Sequence, residues 1–355
     1  MRETLPYTPL GVFPTPIHHC MALGKHLRMD ALYLKRDDVT GPIYGGNKVR
    51  KLEFLLGKAL RDGAREVMTF GFTGSNHALA TTIYAREVGL RSISMFMPQP
   101  NSESLRRNLL LGHYFGAELH EYPGRQVLSL ATAYQMCRHA WKMGRRPMLI
   151  PPGGSSPLGI MGIVNAAFEL RDQIREGILP EPAYIYVAVG SMGTAVGLAI
   201  GLRAAGLGCT VVPVRVIHPH LANTNRMSGL ARDTVRFLQN SDPHFPTPDD
   251  IGSEFTLREE FYGEQYALYT QAGMDAIRLL RETEGVALDG TYSGKAMAAL
   301  LSDANKGNLR GKVVLFWDTY NSRPVWDTVP LPEYHQLPHR FHKYFENPVQ
   351  PLDSQ

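Results

Sequence analysis

The sequence predicts an α/β fold with mostly parallel sheets, arranged in two domains. Runs typical of buried strands alternate with helical runs of about 10–15 residues, a pattern that calls for crossover connections and parallel strand pairing. The chain has 355 residues, of which 44% are hydrophobic, so it is long enough to bury two ordinary cores. The cluster of Pro, Gly and Ser at 151–157 is the clearest interruption, and we predict a domain crossing there.

The first half of the chain predicts one set of alternating elements. A proline-rich leading segment ends in a strand at 31–35, and a helix begins at Lys48 with apolar residues at helical spacing. Further strands are predicted at 66–70, 92–97, 118–122 and 148–150, and further helices at 76–88, 103–115 and 126–143.

The second half repeats the alternation after a long helix at 158–176. Strands are predicted at 184–188, 210–217 and 312–317, and helices at 194–205, 265–284 and 293–305. The polar region 219–254 and the Pro- and His-rich tail after Val329 predict no regular element, and the tail is expected to lie on the surface.

Composition excludes several classes of partner. The net charge of +4 is small and its basic residues are scattered, so nucleic acid is not expected. Three cysteines without CxxC spacing predict neither a disulfide framework nor a zinc site, and they fit a reducing cytoplasm. The histidines at 335, 339 and 342 lie among prolines and fit a solvated tail better than a metal site. No apolar run reaches about 18 residues, so no membrane contact is predicted.

The stretch 44–53 places a lysine at the junction of a loop and a helix. Gly45 and Gly46 allow a tight turn that delivers Asn47 and Lys48 to the start of the helix. A lysine held by a rigid element suits a Schiff base with an aldehyde. An ordinary surface lysine remains the alternative on this stretch alone.

The stretch 189–194 follows a predicted strand and opens a predicted helix. Its backbone N–H groups then converge at the positive end of the helix dipole and suit a phosphate. Close packing of Gly193, Gly197 and Gly201 against the sheet is the alternative. A dinucleotide site is a weaker interpretation, because the GxGxxG pattern is absent and no acidic residue follows at the required distance.

Two further sets of polar residues lie where strands end. The turn Thr73-Gly74-Ser75-Asn76-His77 can hold a carboxylate or a ring hydroxyl, although Ser75 or Asn76 can equally be a plain N-cap, and His77 a base or a structural residue. Tyr262, Tyr292 and Thr319 are expected to face the crevice outside the carboxyl ends of the second half's strands, with simple packing as the alternative for the tyrosines.

Together these motifs resemble the pyridoxal-phosphate enzymes of the tryptophan-synthase β fold type, and within fold type II the D-cysteine desulfhydrase and 1-aminocyclopropane-1-carboxylate deaminase family. The motifs that carry the resemblance are Leu34-Lys35-Arg36-Asp37-Asp38, Gly45-Gly46-Asn47-Lys48, Arg50-Lys51-Leu52-Glu53, Gly74-Ser75-Asn76-His77, Gly190-Ser191-Met192-Gly193-Thr194, Tyr262-Gly263 and Tyr292-Ser293-Gly294-Lys295-Ala296. The chain departs from the family pattern at Met192, where glycine is usual, and at Asp318-Thr319-Tyr320-Asn321, which replaces His-Thr-Gly-Gly.

The resemblance implies two open, mostly parallel twisted sheets flanked by helices, with pyridoxal 5'-phosphate in the crevice between domains. It implies a large cofactor-binding domain of residues 1–52 and 160–355 and a small domain of residues 53–159. Lys48 would carry the Schiff base, Asn76 would face the ring hydroxyl and Thr319 the pyridine nitrogen. The implied phosphate loop consists of Gly190, Ser191, Met192, Gly193 and Thr194. The implied catalytic residues are Lys48, Ser75, Tyr262 and Tyr292, and the implied substrate-binding residues are Ser75, Asn76 and His77.

The resemblance also implies a lyase that acts on a small amino acid, as a cytoplasmic homodimer. Members that open a cyclopropane ring have a glutamate where this chain has Ser293, and a hydroxyl there leaves the cofactor ring a weaker electron sink. We therefore expect elimination from a β-substituted alanine such as D-cysteine, giving pyruvate and ammonia. The alternatives are deamination of 1-aminocyclopropane-1-carboxylate, an L-cysteate sulfo-lyase, another lyase or racemase with this cofactor, and a non-catalytic member that binds a small anion.

Overall fold

The computed structural model describes residues 5–246 and 255–353 in two sheets with helices around them. Residues 1–4, 247–254 and 354–355, which belong to the predicted large domain, lie outside the described residues. The strands are β1 Ile17–His19, β2 Leu32–Arg36, β3 Glu66–Phe72, β4 Arg91–Met97, β5 Glu118–Glu121, β6 Met148–Ile150, β7 Tyr184–Val189, β8 Thr210–Arg215 and β9 Val314–Asp318. The helices are α1 Met21–Leu27, α2 Lys48–Arg61, α3 Asn76–Glu87, α4 Glu103–Tyr114, α5 Arg125–Met143, α6 Pro157–Arg175, α7 Gly193–Ala204, α8 Thr224–Ser241, α9 Gln271–Glu284, α10 Ser293–Asn305, α11 Val325–Thr328 and α12 Lys343–Glu346.

The larger sheet has the strand order β1-β2-β9-β7-β8 and is parallel except for the β1–β2 pair. Strand β9 is buried along its whole length. Leu315 and Trp317 pack into the core that contains α6 and α7, whereas Val314 and Phe316 pack into the core that contains α10. Because side chains alternate across a strand, this distribution shows that helices cover both faces of the sheet.

The smaller sheet has the order β5-β4-β3-β6 and is parallel throughout. Its strands all lie between residues 66 and 150, and those of the larger sheet lie outside that interval. Helix α2 lies between the two units: Leu52 packs with the smaller sheet's core and Phe54 with that of the larger one. Gly162 permits the close approach of α6, since a Cβ there would overlap the Arg50 carbonyl. The domain boundaries at residues 52/53 and 159/160 stay a prediction.

The α/β fold with mostly parallel sheets is confirmed, and four local predictions need correction. The polar region after residue 219 contains the 18-residue helix α8, whose apolar stripe is interrupted by many polar residues. Helix α9 begins at Gln271 and not at 265, and the leading segment contains β1 and α1. The tail is not wholly superficial, because Phe341 and Tyr344 are buried. None of the described helices is both long and apolar enough to span a bilayer.

Candidate functional site

A cavity of about 890 Å³ lies where the loops after strands of both sheets meet. This is the edge at which parallel α/β sheets place their ligands. Ten of the residues predicted for the site line it: Lys48, Ser75, Asn76, His77, Gly190, Ser191, Met192, Thr194, Tyr292 and Thr319. The predicted site residues Gly193 and Tyr262 are not part of this lining.

Lys48 is the first residue of α2, and its side chain reaches the cavity. Gly45 and Gly46 are required before it: a Cβ on Gly45 would overlap the Asp38 carbonyl, and Gly46 has a φ of 97°. The Lys48 ammonium donates a hydrogen bond to Asn47 Oδ1 at 2.9 Å. Burial lowers the pKa of Lys48 to about 8, with the charge of Asp289 opposing that shift. A lysine with such a pKa is neutral often enough near pH 7 to act as a nucleophile or base.

The loop before α7 has the geometry of an anion cradle. Met192 adopts a left-handed conformation with a φ of 67°, which explains why glycine is usual there. The Gly193 N–H donates to Ser155 Oγ at 3.3 Å, and Ser155 Oγ lies 2.8 Å from Ser191 Oγ. Asn47 Nδ2 donates to Thr194 Oγ1 at 2.7 Å and so ties the lysine loop to this cradle.

Lys51 completes the cradle and was not predicted as a site residue. Its ammonium is buried and donates to the Gly153 carbonyl and to Ser155 Oγ, both at 3.1 Å. A Cβ on Gly193 would lie 2.8 Å from this ammonium, so the absence of a side chain there keeps the space open. The sequence gives little indication that Lys51 belongs to the site, because it lies one turn into α2 among ordinary helical residues.

The surroundings of the Lys51 ammonium indicate that a phosphate fits beside it. Among the described residues, no carboxylate pairs with its ammonium, and burial together with the charge of Lys48 lowers the pKa of Lys51 well below its usual value. An unpaired buried cation is costly, and an anion beside it removes that cost. The donor set of a lysine, two serine hydroxyls and the N-terminus of α7 therefore fits the phosphate of pyridoxal phosphate.

The turn at the start of α3 combines capping with access to the cavity. Ser75 Oγ accepts a hydrogen bond from the Ala78 N–H at 3.2 Å, so the predicted alternative of an N-cap is present. Asn76 Oδ1 accepts from Asn108 Nδ2 at 2.9 Å, which holds the Asn76 amide against the cavity wall.

His77 is buried beside the two lysines. Its pKa is well below the usual value because of burial and because Lys48 and Lys51 lie nearby, an effect that the Pro151 carbonyl opposes only in part. Neither ring nitrogen of His77 is hydrogen-bonded to a side chain or backbone group of the described residues. The ring is therefore neutral and is able to accept a partner that enters the cavity.

Tyr266 lines the cavity, whereas the predicted site residue Tyr262 does not. The carbonyl of Tyr262 accepts a hydrogen bond from Lys295 Nζ at 2.6 Å, whereas Tyr266 lines the cavity and its hydroxyl is hydrogen-bonded to that of Tyr292. Tyr266 was not predicted as a site residue, because the sequence analysis placed it in a helix that begins at residue 265. The chain there is a loop, with Ala267 at a φ of 61°, and α9 begins only at Gln271.

Asp289 is a third residue of the site, after Lys51 and Tyr266, that was not predicted from the sequence. It lines the cavity, and its carboxylate accepts hydrogen bonds from the Ser293 N–H at 2.9 Å, from Ser293 Oγ at 2.6 Å and from the Tyr292 N–H at 3.1 Å. Burial raises the pKa of Asp289 in spite of these donors. The wall beside Ser293 thus has an ionisable carboxyl group, which the expectation of a neutral partner did not include. Asp289 lies four residues before Ser293 and not at the N-cap position, which Tyr292 occupies, so the usual capping preference did not single it out.

Known proteins similar to this chain share its length and its fold. A family model described as pyridoxal-phosphate dependent enzyme matches residues 8–319. The D-cysteine desulfhydrase of Serratia proteamaculans is 33% identical over 307 residues, which are 83% of this chain and 87% of that protein. A Pyrococcus horikoshii protein named provisionally as a 1-aminocyclopropane-1-carboxylate deaminase is 33% identical over 318 residues, covering 88% and 91% of the two chains.

Solved structures agree with these matches. The crystal structure of an ACC deaminase homologue superposes with a TM-score of 0.77 at 31% identity, covering 90% of this chain and 93% of that one. The processed form of threonine deaminase isoform 2 from Solanum lycopersicum superposes with a TM-score of 0.60 at 14% identity, covering 95% and 83%, and supports the fold alone.

Proposed function

The chain belongs to the family of pyridoxal-phosphate dependent enzymes, and we propose that it eliminates the β-substituent of a small amino acid such as D-cysteine to give pyruvate and ammonia. The family and the cofactor are those that the resemblance predicted. The choice of reaction rests on the group available to the pyridine nitrogen. The Ser293 hydroxyl donates to the Asp289 carboxylate, and Thr319, which lines the cavity, offers a neutral hydroxyl.

When bound, pyridoxal phosphate supplies an aldehyde that takes the substrate's amino group and a ring that withdraws electrons from its Cα. In our proposal the Lys51 ammonium, the Ser155 and Ser191 hydroxyls and the N–H groups at the start of α7 bind its phosphate. Thr319 would face the pyridine nitrogen and Asn76 would face the ring hydroxyl, since both residues line the cavity. These contacts fix the orientation of the reacting atoms, which is a large part of catalysis.

Lys48 is the proposed base that takes the proton from the substrate's Cα. Its lowered pKa allows the neutral amine to exist near pH 7, and the rigid turn at Gly46 aims its side chain into the cavity. The N–H groups of Asn76 and His77, in the first turn of α3, are proposed to bind the substrate carboxylate, whereas the Ser75 N–H already donates to the Phe72 carbonyl at 2.9 Å.

The hydrogen-bonded hydroxyls of Tyr266 and Tyr292 are the proposed route by which a proton reaches the departing β-group. Burial raises the pKa of Tyr292 to about 12 and that of Tyr266 well above its usual value, so both phenols stay protonated and able to donate. This role replaces the one predicted for Tyr262.

Deamination of 1-aminocyclopropane-1-carboxylate remains the second candidate, because the Asp289 carboxyl group lies on the same wall. Steady-state assays of D-cysteine, β-chloro-D-alanine, L-cysteate and the cyclopropane compound, run side by side, distinguish the two. We expect the highest kcat/KM for a β-substituted alanine. A higher value for the cyclopropane compound than for every β-substituted alanine would overturn elimination as the main reaction. A site that takes up the cofactor but turns over none of the four would favour a non-catalytic role.

We also propose that the chain acts in the cytoplasm as a homodimer. Its three cysteines are all free, which suits a reducing compartment. Sedimentation equilibrium of the holoenzyme measures the assembly directly, and a mass of one chain at micromolar concentration would refute the dimer.

A further inference from the structure

Three side chains of the types that bind metal ions lie together outside the cavity. His18, Cys20 and Glu284 each offer one ligand atom, and these atoms all lie within 4.8 Å of one another. None of the three residues lines the cavity. The sequence predicted no zinc site, because the cysteines lack CxxC spacing and Glu284 lies 266 positions from His18. The cluster is therefore a product of the tertiary structure.

Strand β1 and helix α9 bring the three residues together. His18 belongs to β1 and Cys20 follows it by two positions, and alternate residues of an extended segment face the same side. Cys20 packs into the core that contains Leu280 of α9. Glu284 is the last residue of α9, so its side chain reaches the same place from the carboxyl end of that helix. The partial negative charge at this end of a helix favours a cation.

The orientation of the Glu284 carboxylate is already fixed. Its Oε1 accepts a hydrogen bond from the Leu23 N–H at 2.8 Å, and its Oε2 lies 2.8 Å from His18 Nε2. The Glu284 side chain is only 6% exposed. A carboxylate whose second oxygen is held by a backbone donor loses little freedom when it binds a metal ion, as is usual for the ligands of metal sites in proteins.

The Cys20 thiol has no strong hydrogen-bond partner. It is 1% exposed, and the acceptor that its sulfur reaches is the His18 carbonyl at 4.0 Å. A metal ion displaces the proton of such a thiol, and the thiolate and the Glu284 carboxylate then balance the two charges of a divalent ion. The nearby Arg36 guanidinium does not need the thiolate as a partner, because it donates two hydrogen bonds to Asp38, both at 2.7 Å.

We propose that His18, Cys20 and Glu284 bind one Zn²⁺ ion, with water as the fourth ligand. Thiolate, imidazole and carboxylate are the ligands that Zn²⁺ takes in proteins, whereas Mg²⁺ and Ca²⁺ prefer oxygen alone. The imidazole binds as the neutral ring through Nε2, the nitrogen that faces Glu284, and the thiol proton leaves to solvent.

The geometry of the cluster suits a tetrahedral site. Bonds of about 2.0–2.3 Å to the ion put neighbouring ligand atoms about 3.3–3.6 Å apart, so a side-chain adjustment of about 1 Å closes the cluster on Zn²⁺. The His18 side chain is 35% exposed, which gives the ion a path from solvent and leaves room for the water. The bound ion joins β1 and the start of α1 to α9, and because it needs the folded arrangement it stabilises the fold.

Calorimetric titration of the untagged, cofactor-loaded chain with Zn²⁺ tests the proposal. We expect one equivalent of Zn²⁺ to bind per chain at this site. Cys20→Ala should raise the Kd of that equivalent at least about 100-fold, since even the loss of a group that only orients a ligand costs about 10- to 100-fold in metal affinity. The matched control is Cys137→Ala/Cys209→Ala, which removes the other two thiols and should leave the Kd unchanged. Equal Zn²⁺ affinity in Cys20→Ala and the unsubstituted chain would overturn the proposal.

Co²⁺ in place of Zn²⁺ shows whether the thiolate binds the ion, and it does so without any change at the site. A thiolate bound to Co²⁺ gives a sulfur-to-metal charge-transfer band in the near ultraviolet. We expect this band in Cys137→Ala/Cys209→Ala, in which Cys20 is the only thiol, and its absence from that variant overturns the proposal whether or not Cys20→Ala folds. Zn²⁺ should also raise the Tm of the unsubstituted chain and not that of Cys20→Ala.

The histidines of the tail offer a competing site that a further variant separates. The rings of His335 and His342 lie 5.8 Å apart, so this pair is able to attract Zn²⁺. We expect His335→Ala/His342→Ala to keep the equivalent of Zn²⁺ that Cys20→Ala loses. Loss of that equivalent in the tail variant, with Cys20→Ala still binding it, would assign the ion to the tail and overturn the proposal.

Discussion

Replacing Lys51 by methionine separates binding of the cofactor phosphate from stability of the fold. Methionine has a similar length but no charge. The variant loses a hydrogen bond between a charged donor and the bound phosphate, worth about 1.5–3 kcal/mol. Because each 1.4 kcal/mol is a factor of ten, the Kd for pyridoxal phosphate should rise about 10- to 150-fold.

The free energy of unfolding of the cofactor-free protein should change far less, by about 1 kcal/mol at most. Lys51 loses its bonds to the Gly153 carbonyl and Ser155 Oγ, but the fold no longer buries an unpaired ammonium, and the two effects oppose each other. Lys58→Met on the same helix is the control, because the exposed Lys58 pairs only with the equally exposed Asp62. We expect it to bind the cofactor as the unsubstituted chain does.

The pH dependence of unfolding gives an independent check on Lys51. Its pKa is lower in the folded chain than its ordinary value of 10.5, so the unfolded chain holds more protons between those two values. The free energy of unfolding of the cofactor-free protein therefore rises with pH across that window, and Lys51→Met should flatten the rise. Absorbance titration measures the affinity for pyridoxal phosphate, and urea denaturation measures the free energy of unfolding of the cofactor-free protein. Unchanged cofactor affinity in Lys51→Met would refute the cradle as described.

Lys48→Ala should fold but fail to bond covalently to the cofactor, and borohydride reduction with peptide mapping should label Lys48 and no other lysine in the unsubstituted chain. Cofactor uptake by the unsubstituted protein should speed up with pH and level off above about 8, where Lys48 is mostly neutral; stopped-flow absorbance that shows no such dependence contradicts the lowered pKa. Gly193→Asp puts bulk and negative charge against Lys51 and Ser155, so equilibrium titration should show weakened cofactor binding, and undiminished affinity argues against the loop as the phosphate site. Tyr266→Phe should lower kcat at least tenfold by breaking the bond to Tyr292, whereas Tyr262→Phe should change it less than twofold; the reverse order restores the predicted role of Tyr262.

Patterns among neighbouring residues were sufficient to predict the strands, helices and loops that surround the site. The strand and helix alternation, the glycines before Lys48, and the turns at residues 73–77 and 189–194 are all patterns within a few neighbouring residues. Hydrophobic period and turn preference act over that range, so the parallel sheets and the loops that line the cavity could be predicted. Helix α8 was not predicted because it contains more polar residues than apolar ones.

The tertiary structure decided which polar groups meet in the cavity. Lys51 contacts Ser155, which is 104 positions away in the sequence, and its lack of a carboxylate partner among the described residues is a property of the folded surroundings. The path of a loop places Tyr266, and not Tyr262, in the lining of the cavity. Asp289 lines the cavity because α10, whose Ser293 N–H donates to it, packs beside the cavity. The pKa of a lysine and the exposure of a tyrosine depend on burial by distant segments, and no local pattern in a single sequence records that burial.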